Sequence, residues 1–140
     1  MLVRLLYASR AATTIDANMV EAITSRSARY NTEAGVTGIL CYSGDTFTQV
    51  LEGSRKEVSK LFAGIVGDPR HIDVELLLFE EITERRFNGW SMGQVNMKKV
   101  NPSVLLKYSE KPAFDPFSIS GKASIALIEE LIASASIAVK

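Results

Sequence analysis

Two segments with helical hydrophobic spacing interrupt a series of short β-rich runs in the first 97 residues. In the second segment, residues 54–69, apolar side chains recur at the i, i+3, i+4, i+7 and i+8 spacing of a helix that faces a core. Ser54 stands three residues before Glu57, the spacing of a capping box, and Gly67 with Pro69 indicates the end of the helix. The apolar stripe is formed by Val58, Leu61, Phe62, Ile65 and Val66.

The remaining patterns complete the order βαββαββ. The other elements are predicted as a strand at 2–8, a helix within 13–35 between Asp16 and Gly35, a hairpin over 36–53, a strand at 71–82 and a last strand near Trp90. The Val- and Leu-rich run 71–82 is expected at the centre of the sheet. Two helices on one face of a five-stranded mixed sheet form an α+β sandwich of the ferredoxin-like class.

The composition changes after residue 97. Three of the four prolines, Pro102, Pro112 and Pro116, fall within the next twenty residues. The last segment, residues 121–140, predicts a helix whose apolar stripe consists of Ile125, Ile128, Leu131, Ile132 and Ala135. One or two helices cannot enclose a core of their own. We therefore predict a domain at 1–97 and a C-terminal helical extension at 98–140.

Charge and composition exclude several classes of function. Lys plus Arg and Asp plus Glu both number 16, so the chain lacks the cationic excess of a general nucleic-acid binder. Its one cysteine, Cys41, and its one histidine, His71, have no metal-ligand spacing. No apolar run reaches the roughly 20 residues of a membrane span, and the first residues do not resemble a signal peptide. The expected location is the cytoplasm.

Three polar residues fall on faces that are otherwise apolar. Strand alternation places Gln49 between Phe47 and Leu51, and Tyr7 on the inward face of the first strand. Asn31 ends the inward stripe of the first helix. Taken singly, the tyrosine is typical of a core aromatic, the asparagine of a helix cap, and the glutamine of a surface strand. Together they predict one cavity with donors and acceptors suited to a planar heterocycle.

Trp90 and Met92 alternate, so in a strand they would share a face. This pair is interpreted either as sheet core or dimer surface, or as closing the same cavity from the last strand. A methionine is well suited to lie against an aromatic ring.

Four stretches in order carry a family resemblance over roughly residues 1–97. They are "LLYAS", "RYNTEAGVTGILCY", "FTQVLEGS" and "RRFNGWSMG". This set resembles the BLUF domains, the blue-light sensors that use FAD, and among them the short proteins with a small helical tail and no fused output domain. The resemblance implies a photoreceptor that binds FAD non-covalently and is not an enzyme.

The resemblance also implies residue roles. Tyr7 becomes the redox partner that reduces the photoexcited flavin, and Gln49 lies between its phenol and the N5/O4 edge of the flavin. Asn31 bonds the carbonyl side of the ring, while Trp90 and Met92 correspond to the family pair near Gln49. The candidate cofactor-binding residues are Tyr7, Ile23, Ser27, Asn31, Gln49, Asp68, Arg70, His71 and Met92, with Arg26 and Arg29 as further phosphate candidates.

Residue chemistry explains the glutamine. A primary amide is a donor at one end and an acceptor at the other, so rotation or tautomerisation changes the hydrogen bond that it offers. Leucine has no polar group, and an ionised glutamate has no donor. Gln49 is therefore predicted to be the switch, with its signal passing through the last strand to residues 100–140 and then to an unidentified effector protein.

Other interpretations remain open at this point. A ferredoxin-like metabolite-binding or dimerisation module would explain the cavity without light. An acylphosphatase-type hydrolase would need a phosphate cradle after the first strand, but residues 8–14 have no glycine and only Arg10 as support. A homodimer is possible, whereas direct contact with nucleic acid or a membrane is not expected.

Overall fold

The computed structural model describes residues 1–134 and the backbone of residues 138–139. The elements are β1 (Leu2–Ala11), α1 (Ala17–Ala34), β2 (Thr37–Ser43), β3 (Thr46–Ser54), α2 (Arg55–Val66), β4 (His71–Ile82), β5 (Gly93–Asn96), a 3₁₀ turn (Met97–Lys99), α3 (Pro102–Tyr108), α4 (Gly121–Ala133) and β6 (Ala138–Val139). The predicted order βαββαββ is confirmed for the first 97 residues. Within the described residues, no helix is both long enough and apolar enough to cross a bilayer.

The sheet has the order β4-β1-β3-β2-β5-β6. Strand β1 pairs antiparallel with β3 and β4, β3 pairs antiparallel with β2, and β2 pairs parallel with β5. The predicted five-stranded mixed sheet is thus confirmed, and the two residues of β6 extend it beyond β5.

Strand β4 lies at an edge of the sheet, so its predicted central position is wrong. Its density of Val and Leu does not reflect complete burial, because Ile72, Leu76 and Phe79 are among the exposed large hydrophobic residues. Strand β3 is central, between β1 and β2, and every residue in it from Thr46 to Gly53 is buried. In β4, hydrophobic density therefore indicates neither complete burial nor a central position in the sheet.

Local signals set the bounds of the two main helices. Asp16 caps α1 by accepting a bond from the Met19 N–H over 2.7 Å, and Gly35 ends it with a left-handed φ of 71°. Ser54 caps α2 by accepting a bond from the Glu57 N–H over 3.2 Å. The predicted stripe of α2 packs toward the sheet except for Val66, which is 54% exposed because it is the last residue of the helix.

The two faces of the sheet support two separate cores. The helix-face core, beneath α1 and α2, contains Val3, Leu5, Tyr7, Leu40, Phe47, Leu51, Val58 and Met92. The tail-face core contains Leu6, Ile39, Cys41, Val50 and Phe87 together with Leu105, Ile125, Leu127, Ile128 and Leu131 of the C-terminal extension. The apolar residues of the extension therefore pack against the sheet rather than against each other alone.

The last helix is shorter than predicted. Helix α4 ends at Ala133 and strand β6 follows at Ala138–Val139, whereas the sequence pattern predicted a helix to residue 140. The predicted stripe residue Ala135 lies outside the described residues. The division of the chain at residue 97 stays a prediction.

A buried ion pair lies on the tail face, and it was not predicted from the sequence. Glu52 is fully buried and accepts from Arg4 Nε over 2.9 Å and from the backbone N–H of Phe87 over 2.7 Å. Arg4 also binds Glu80, with 2.6 Å between NH1 and Oε1. Removing one partner of such a pair typically costs about 3–5 kcal/mol of stability. Glu52 thus anchors the segment between β4 and β5 to the sheet.

Candidate functional site

A hydrogen-bond chain of three buried side chains lies on the helix face of the sheet. Strand pairing places Tyr7 of β1 directly opposite Gln49 of β3. The Tyr7 hydroxyl donates to Gln49 Oε1 over 2.7 Å, and Gln49 Nε2 donates to Met92 Sδ over 3.2 Å. Tyr7 is 1% and Gln49 4% exposed, so water does not compete for these bonds. The amide has a second N–H that a ligand can use.

The environment keeps the Tyr7 phenol protonated. Burial raises the pKa of Tyr7 above its ordinary value, the charge of Asp68 raises it further, and Arg70 opposes the shift. The phenol is therefore a neutral hydrogen-bond donor to Gln49 at physiological pH.

A cavity of about 330 Å³ lies next to Tyr7 and Gln49, between α1, α2 and the sheet. Its volume falls in the usual range for small-molecule sites. Apolar side chains form most of its walls, namely Ile23, Leu40, Phe47, Leu61 and Ile65, while Tyr7 and Gln49 contribute polar groups and Ser27 lies on the α1 side. Such a slot suits a flat, largely apolar ring with a polar edge.

Asn31 is fully buried on α1 and has an unpaired acceptor. Its Nδ2 donates to the Ser91 carbonyl oxygen over 2.9 Å, whereas its Oδ1 has no protein partner. A buried polar atom without a partner is rare and costly, so a bound group with an N–H donor would satisfy it. Asn31 and Met92, although both are predicted site residues, lie behind the cavity wall and do not line the cavity as Tyr7, Ile23, Ser27 and Gln49 do.

Asp68 and Arg70 pair with each other at the mouth of the cavity. The distances are 2.6 Å from Arg70 NH2 to Asp68 Oδ2 and 3.1 Å from Arg70 Nε to Asp68 Oδ1. This pairing lowers the pKa of Asp68 to about 2, so its carboxylate stays ionised. The Asp68 carbonyl also accepts from the His71 N–H over 3.0 Å and forms the turn into β4. Arg70 is thus already engaged by a carboxylate.

His71 forms part of the cavity wall. Its Nδ1 lies 2.8 Å from Ser9 Oγ, and its ring centroid lies 5.1 Å from that of Phe47 and 6.2 Å from that of Tyr7. Burial lowers the pKa of His71, which favours the neutral imidazole. A neutral, aromatic-packed imidazole is better placed to contact a ring than a phosphate.

Two cations without ion-pair partners among the described residues also line the cavity. Arg26 comes from α1 and Lys60 from α2, and both are exposed. Lys60 was not predicted from the sequence, where it looks like any other surface lysine of α2. Only the position of the cavity distinguishes it, so the sequence carried no signal for this role. Arg29, the other predicted phosphate candidate on α1, is exposed and lies outside this lining.

Trp90 and Met92 lie on opposite faces of the sheet, so the prediction that they share a face is wrong. Met92 is fully buried in the helix-face core, whereas Trp90 packs against the tail-face core. The physical reason is that β5 begins only at Gly93, so strand alternation does not apply to the residues before it. Met92 therefore lies beside Gln49 on the helix face, and Trp90 lies on the tail face, away from the cavity.

The phosphate cradle of a hydrolase has no counterpart after the first strand. Strand β1 continues through Ala11, and Arg10 at its end packs over the Phe117 ring at 4.6 Å. Residues 8–11 of the segment that would have to form the cradle are therefore part of the sheet.

The chain matches the family model described as BLUF, sensors of blue light using FAD, over residues 2–93. It is 36% identical over 92 residues to the blue light- and temperature-regulated antirepressor BluF of Escherichia coli (strain K12). That match covers 66% of this chain and 23% of BluF. The chain is likewise 36% identical over 77 residues to the photoactivated adenylate cyclase subunit beta of Euglena gracilis, covering 55% of this chain and 9% of the cyclase subunit.

Two solved structures are similar over nearly the whole chain. The dark-state structure of BlrB, a BLUF protein, superposes with a TM-score of 0.79 at 33% identity and covers 96% of each chain. The photo-activated state of BlsA superposes with a TM-score of 0.82 at 29% identity, covering 94% of this chain and 95% of BlsA. The similarity to these structures thus extends beyond the family match into the C-terminal extension.

Proposed function

This chain belongs to the BLUF family, the sensors of blue light using FAD, and on that basis we propose that Tyr7, Gln49 and Met92 form its light-responsive hydrogen-bond chain. The chain is a blue-light photoreceptor whose cofactor is FAD. The observation that carries the proposal is the 2.7 Å bond from the buried Tyr7 hydroxyl to Gln49 Oε1. No other pair in the described core joins a redox-active phenol to an amide beside a ligand-sized cavity.

The residues that would hold the ring are those of the cavity and the wall behind it. Ile23, Ser27 and the aliphatic side chains of α2 would exclude water from its faces. Asn31 Oδ1 would accept from a ring N–H, and the remaining Gln49 N–H would serve the polar edge. His71 would contact the ring on the side toward β4, and the Asp68–Arg70 pair would lie at the edge of the cavity.

We assign the phosphates of FAD to Arg26 and Lys60 in preference to Arg70. Both cations line the cavity from opposite helices, while the guanidinium of Arg70 is occupied by Asp68. Because Arg26 and Lys60 are exposed, we expect each to contribute less than the ring contacts do.

When bound, a flavin would supply a chromophore for blue light and, in its excited state, an electron acceptor. Tyr7 is the residue suited to give that electron, because its oxidised phenol becomes strongly acidic. The proton then has an acceptor in place at Gln49 Oε1. Gln49 can return in a rotated or tautomeric form, with its donor and acceptor ends exchanged. Its bond to Met92 is the weak one to break, because a thioether sulfur is a poor acceptor.

The output would pass through the segment that joins Met92 to Trp90. Met92 contacts Gln49 on one face, and on the other Trp90 packs against the tail-face core, which includes residues of the extension. We therefore propose that residues 98–140 respond to light as a helical output segment attached to a sensor at 1–97. Arg86, which lies earlier in the connection from β4 to β5, binds Glu129 of α4, with 2.6 Å between NH1 and Oε1.

The partner is proposed to be an effector protein, with this chain itself acting as a sensor and not as an enzyme. Relatives include proteins named as an antirepressor and as cyclase subunits, of which this chain spans 23% and 9%. Homodimerisation, a cytoplasmic location and the expected lack of direct contact with nucleic acid or membranes stay predictions.

The experiment that tests the function is a visible spectrum of the purified protein before and after blue illumination. We expect a bound flavin, released as FAD on denaturation, and a reversible red shift of its absorption band. A colourless protein that does not take up added FAD, or a flavin band that does not move, would refute the proposal.

A further inference from the structure

The three residues before β5 have no regular structure of their own and are held by hydrogen bonds to three other elements. The Trp90 carbonyl accepts from the Gly38 N–H over 3.2 Å, and the Ser91 carbonyl accepts from Asn31 Nδ2 over 2.9 Å. The Ser91 hydroxyl oxygen lies 2.9 Å from Thr32 Oγ1, and Met92 Sδ accepts from Gln49 Nε2 over 3.2 Å. Besides its packing in the helix-face core, Met92 is held in place by these few bonds.

The direction of the hydroxyl pair follows from donor counting. Thr32 Oγ1 lies 2.8 Å from the Ala28 carbonyl oxygen, which can only accept. Because a hydroxyl has one hydrogen, Thr32 donates to Ala28, and the Ser91 hydroxyl must donate to Thr32 Oγ1. Thr32 thus offers a fixed acceptor on α1, oriented by the helix itself.

Thr32 follows Asn31 directly, so neighbouring residues of α1 hold both the carbonyl and the hydroxyl of Ser91. The Asn31 bond is the inner one, from a fully buried side chain, and Thr32 is exposed at the rim. An exposed bond can exchange with water and is released at lower cost than a buried one. The outer bond is therefore the one whose loss can open the segment.

We propose that Thr32 is a positioning residue, whose hydroxyl bond to Ser91 holds the Ser91–Met92 segment so that Met92 stays against Gln49. This bond, the Thr32 latch, has to open for light to move the segment. The proposal rests on the proposed function, since it assumes that the change begins at Gln49. It makes α1, and not only the sheet, a control point for the signal.

The test compares Thr32→Val with the wild type by amide hydrogen exchange of residues 90–93. Valine keeps the β-branched shape and removes only the hydroxyl. In dark, flavin-loaded protein and in flavin-free protein, we expect exchange in this segment to be about two- to twelvefold faster, the net effect of one hydrogen bond. The difference in exchange between light and dark should become smaller, because part of the opening has already occurred.

Matched variants separate the latch from a general effect on α1. Thr32→Ser restores the hydroxyl and should return exchange to the wild-type rate. Ser25→Ala removes a different exposed hydroxyl of α1, bonded to Glu21, and should change nothing at residues 90–93. Ser91→Ala breaks the latch from the other side, so the double variant with Thr32→Val should be no faster than either single variant.

Wild-type exchange at residues 90–93 in Thr32→Val would overturn the latch. The same holds if Ser91→Ala and Thr32→Val have additive effects, because the two hydroxyls would then act separately. If the wild-type protein shows neither a spectral shift nor a change in exchange under light, the proposed function fails. The dark comparison of Thr32→Val with the wild type still decides the latch in that case.

Discussion

Tyr7 and Gln49 are direct neighbours across the antiparallel pair β1–β3, and the hydroxyl of the first donates to the amide oxygen of the second over 2.7 Å. The pairing register fixes this contact, because a shift by one residue would turn Gln49 toward the opposite face of the sheet. The same strand pairing that builds the core therefore also brings the proposed electron donor to the proposed switch.

Tyr7→Phe should retain flavin and lose the light-induced red shift. The variant keeps the ring that fills the core but has neither the phenol proton nor the bond to Gln49 Oε1. Difference spectra before and after illumination test this. Tyr42→Phe, on neighbouring β2, is the matched control and should shift normally. A wild-type shift in Tyr7→Phe would remove Tyr7 from the mechanism.

Gln49→Leu should also bind flavin and show no red shift, because leucine can neither accept from Tyr7 nor donate to Met92. It leaves the buried Tyr7 hydroxyl without an acceptor, which typically costs about 1–3 kcal/mol. Thr48→Val, on the same strand but the other face, is the control. Difference spectra test the loss of the red shift, and denaturant unfolding tests the loss of stability. A normal red shift in Gln49→Leu would exclude the amide as the switch.

Asn31→Ala should weaken FAD binding by about 5- to 150-fold, the range for one hydrogen bond in a buried site. The reason is that its Oδ1 has no acceptor role within the protein and is assigned to the cofactor. Titration of flavin-free protein with FAD, followed by flavin fluorescence, gives the dissociation constant. Asn18→Ala, at the exposed start of α1, should bind as the wild type does. Equal affinities in the two variants would contradict the assignment.

Arg26→Ala and Lys60→Ala should each lower FAD affinity by about 1.4- to 5-fold, as expected for exposed ion pairs. Their effect should shrink at high salt, and riboflavin, which lacks phosphates, should bind each variant as it binds the wild type. Arg29→Ala and Lys56→Ala serve as controls on the same two helices. An equal loss for riboflavin and FAD would show that these cations act on the pocket and not on phosphate.

His71 should make the fold less stable as the pH falls below about 6.5. Burial lowers its pKa in the folded state, so in this window the unfolded chain binds more protons and unfolding is favoured. Because the chain has one histidine, no other side chain titrates near pH 6 by its ordinary pKa. Denaturant midpoints measured between pH 5.5 and 7.5 should fall less in His71→Gln than in the wild type, and identical profiles would exclude this effect.

The elements could be predicted from the sequence because their signals are local. Asp16, Ser54 and Gly35 bound the two main helices through their own backbone and side-chain chemistry. Alternation likewise placed Tyr7 and Gln49 on one face, since both lie well inside long strands. The edge position of β4 could not be predicted in this way, because the choice of pairing partner is not encoded within one strand.

The errors at the site have a related cause. Trp90 and Met92 precede the strand that was assumed to contain them, so their side chains follow the local turn and not a β alternation. The pair of Arg4 with Glu52 was not predicted because the extension covers a face that would otherwise meet water. Lys60 has no local property that distinguishes it from Lys56, and only the position of the cavity does.

The anchor at Glu52 limits how far any light-driven movement can travel. The Phe87 N–H is bonded to that carboxylate and the Trp90 carbonyl to the Gly38 N–H of β2, which leaves only Asn88 and Gly89 between two bonded residues. A connection this short allows only a small displacement of the residues around it, since each residue spans at most about 3.6 Å. We therefore expect a partner protein to detect a small displacement close to Trp90, or in the tail-face core against which Trp90 packs, and not the release of a long chain.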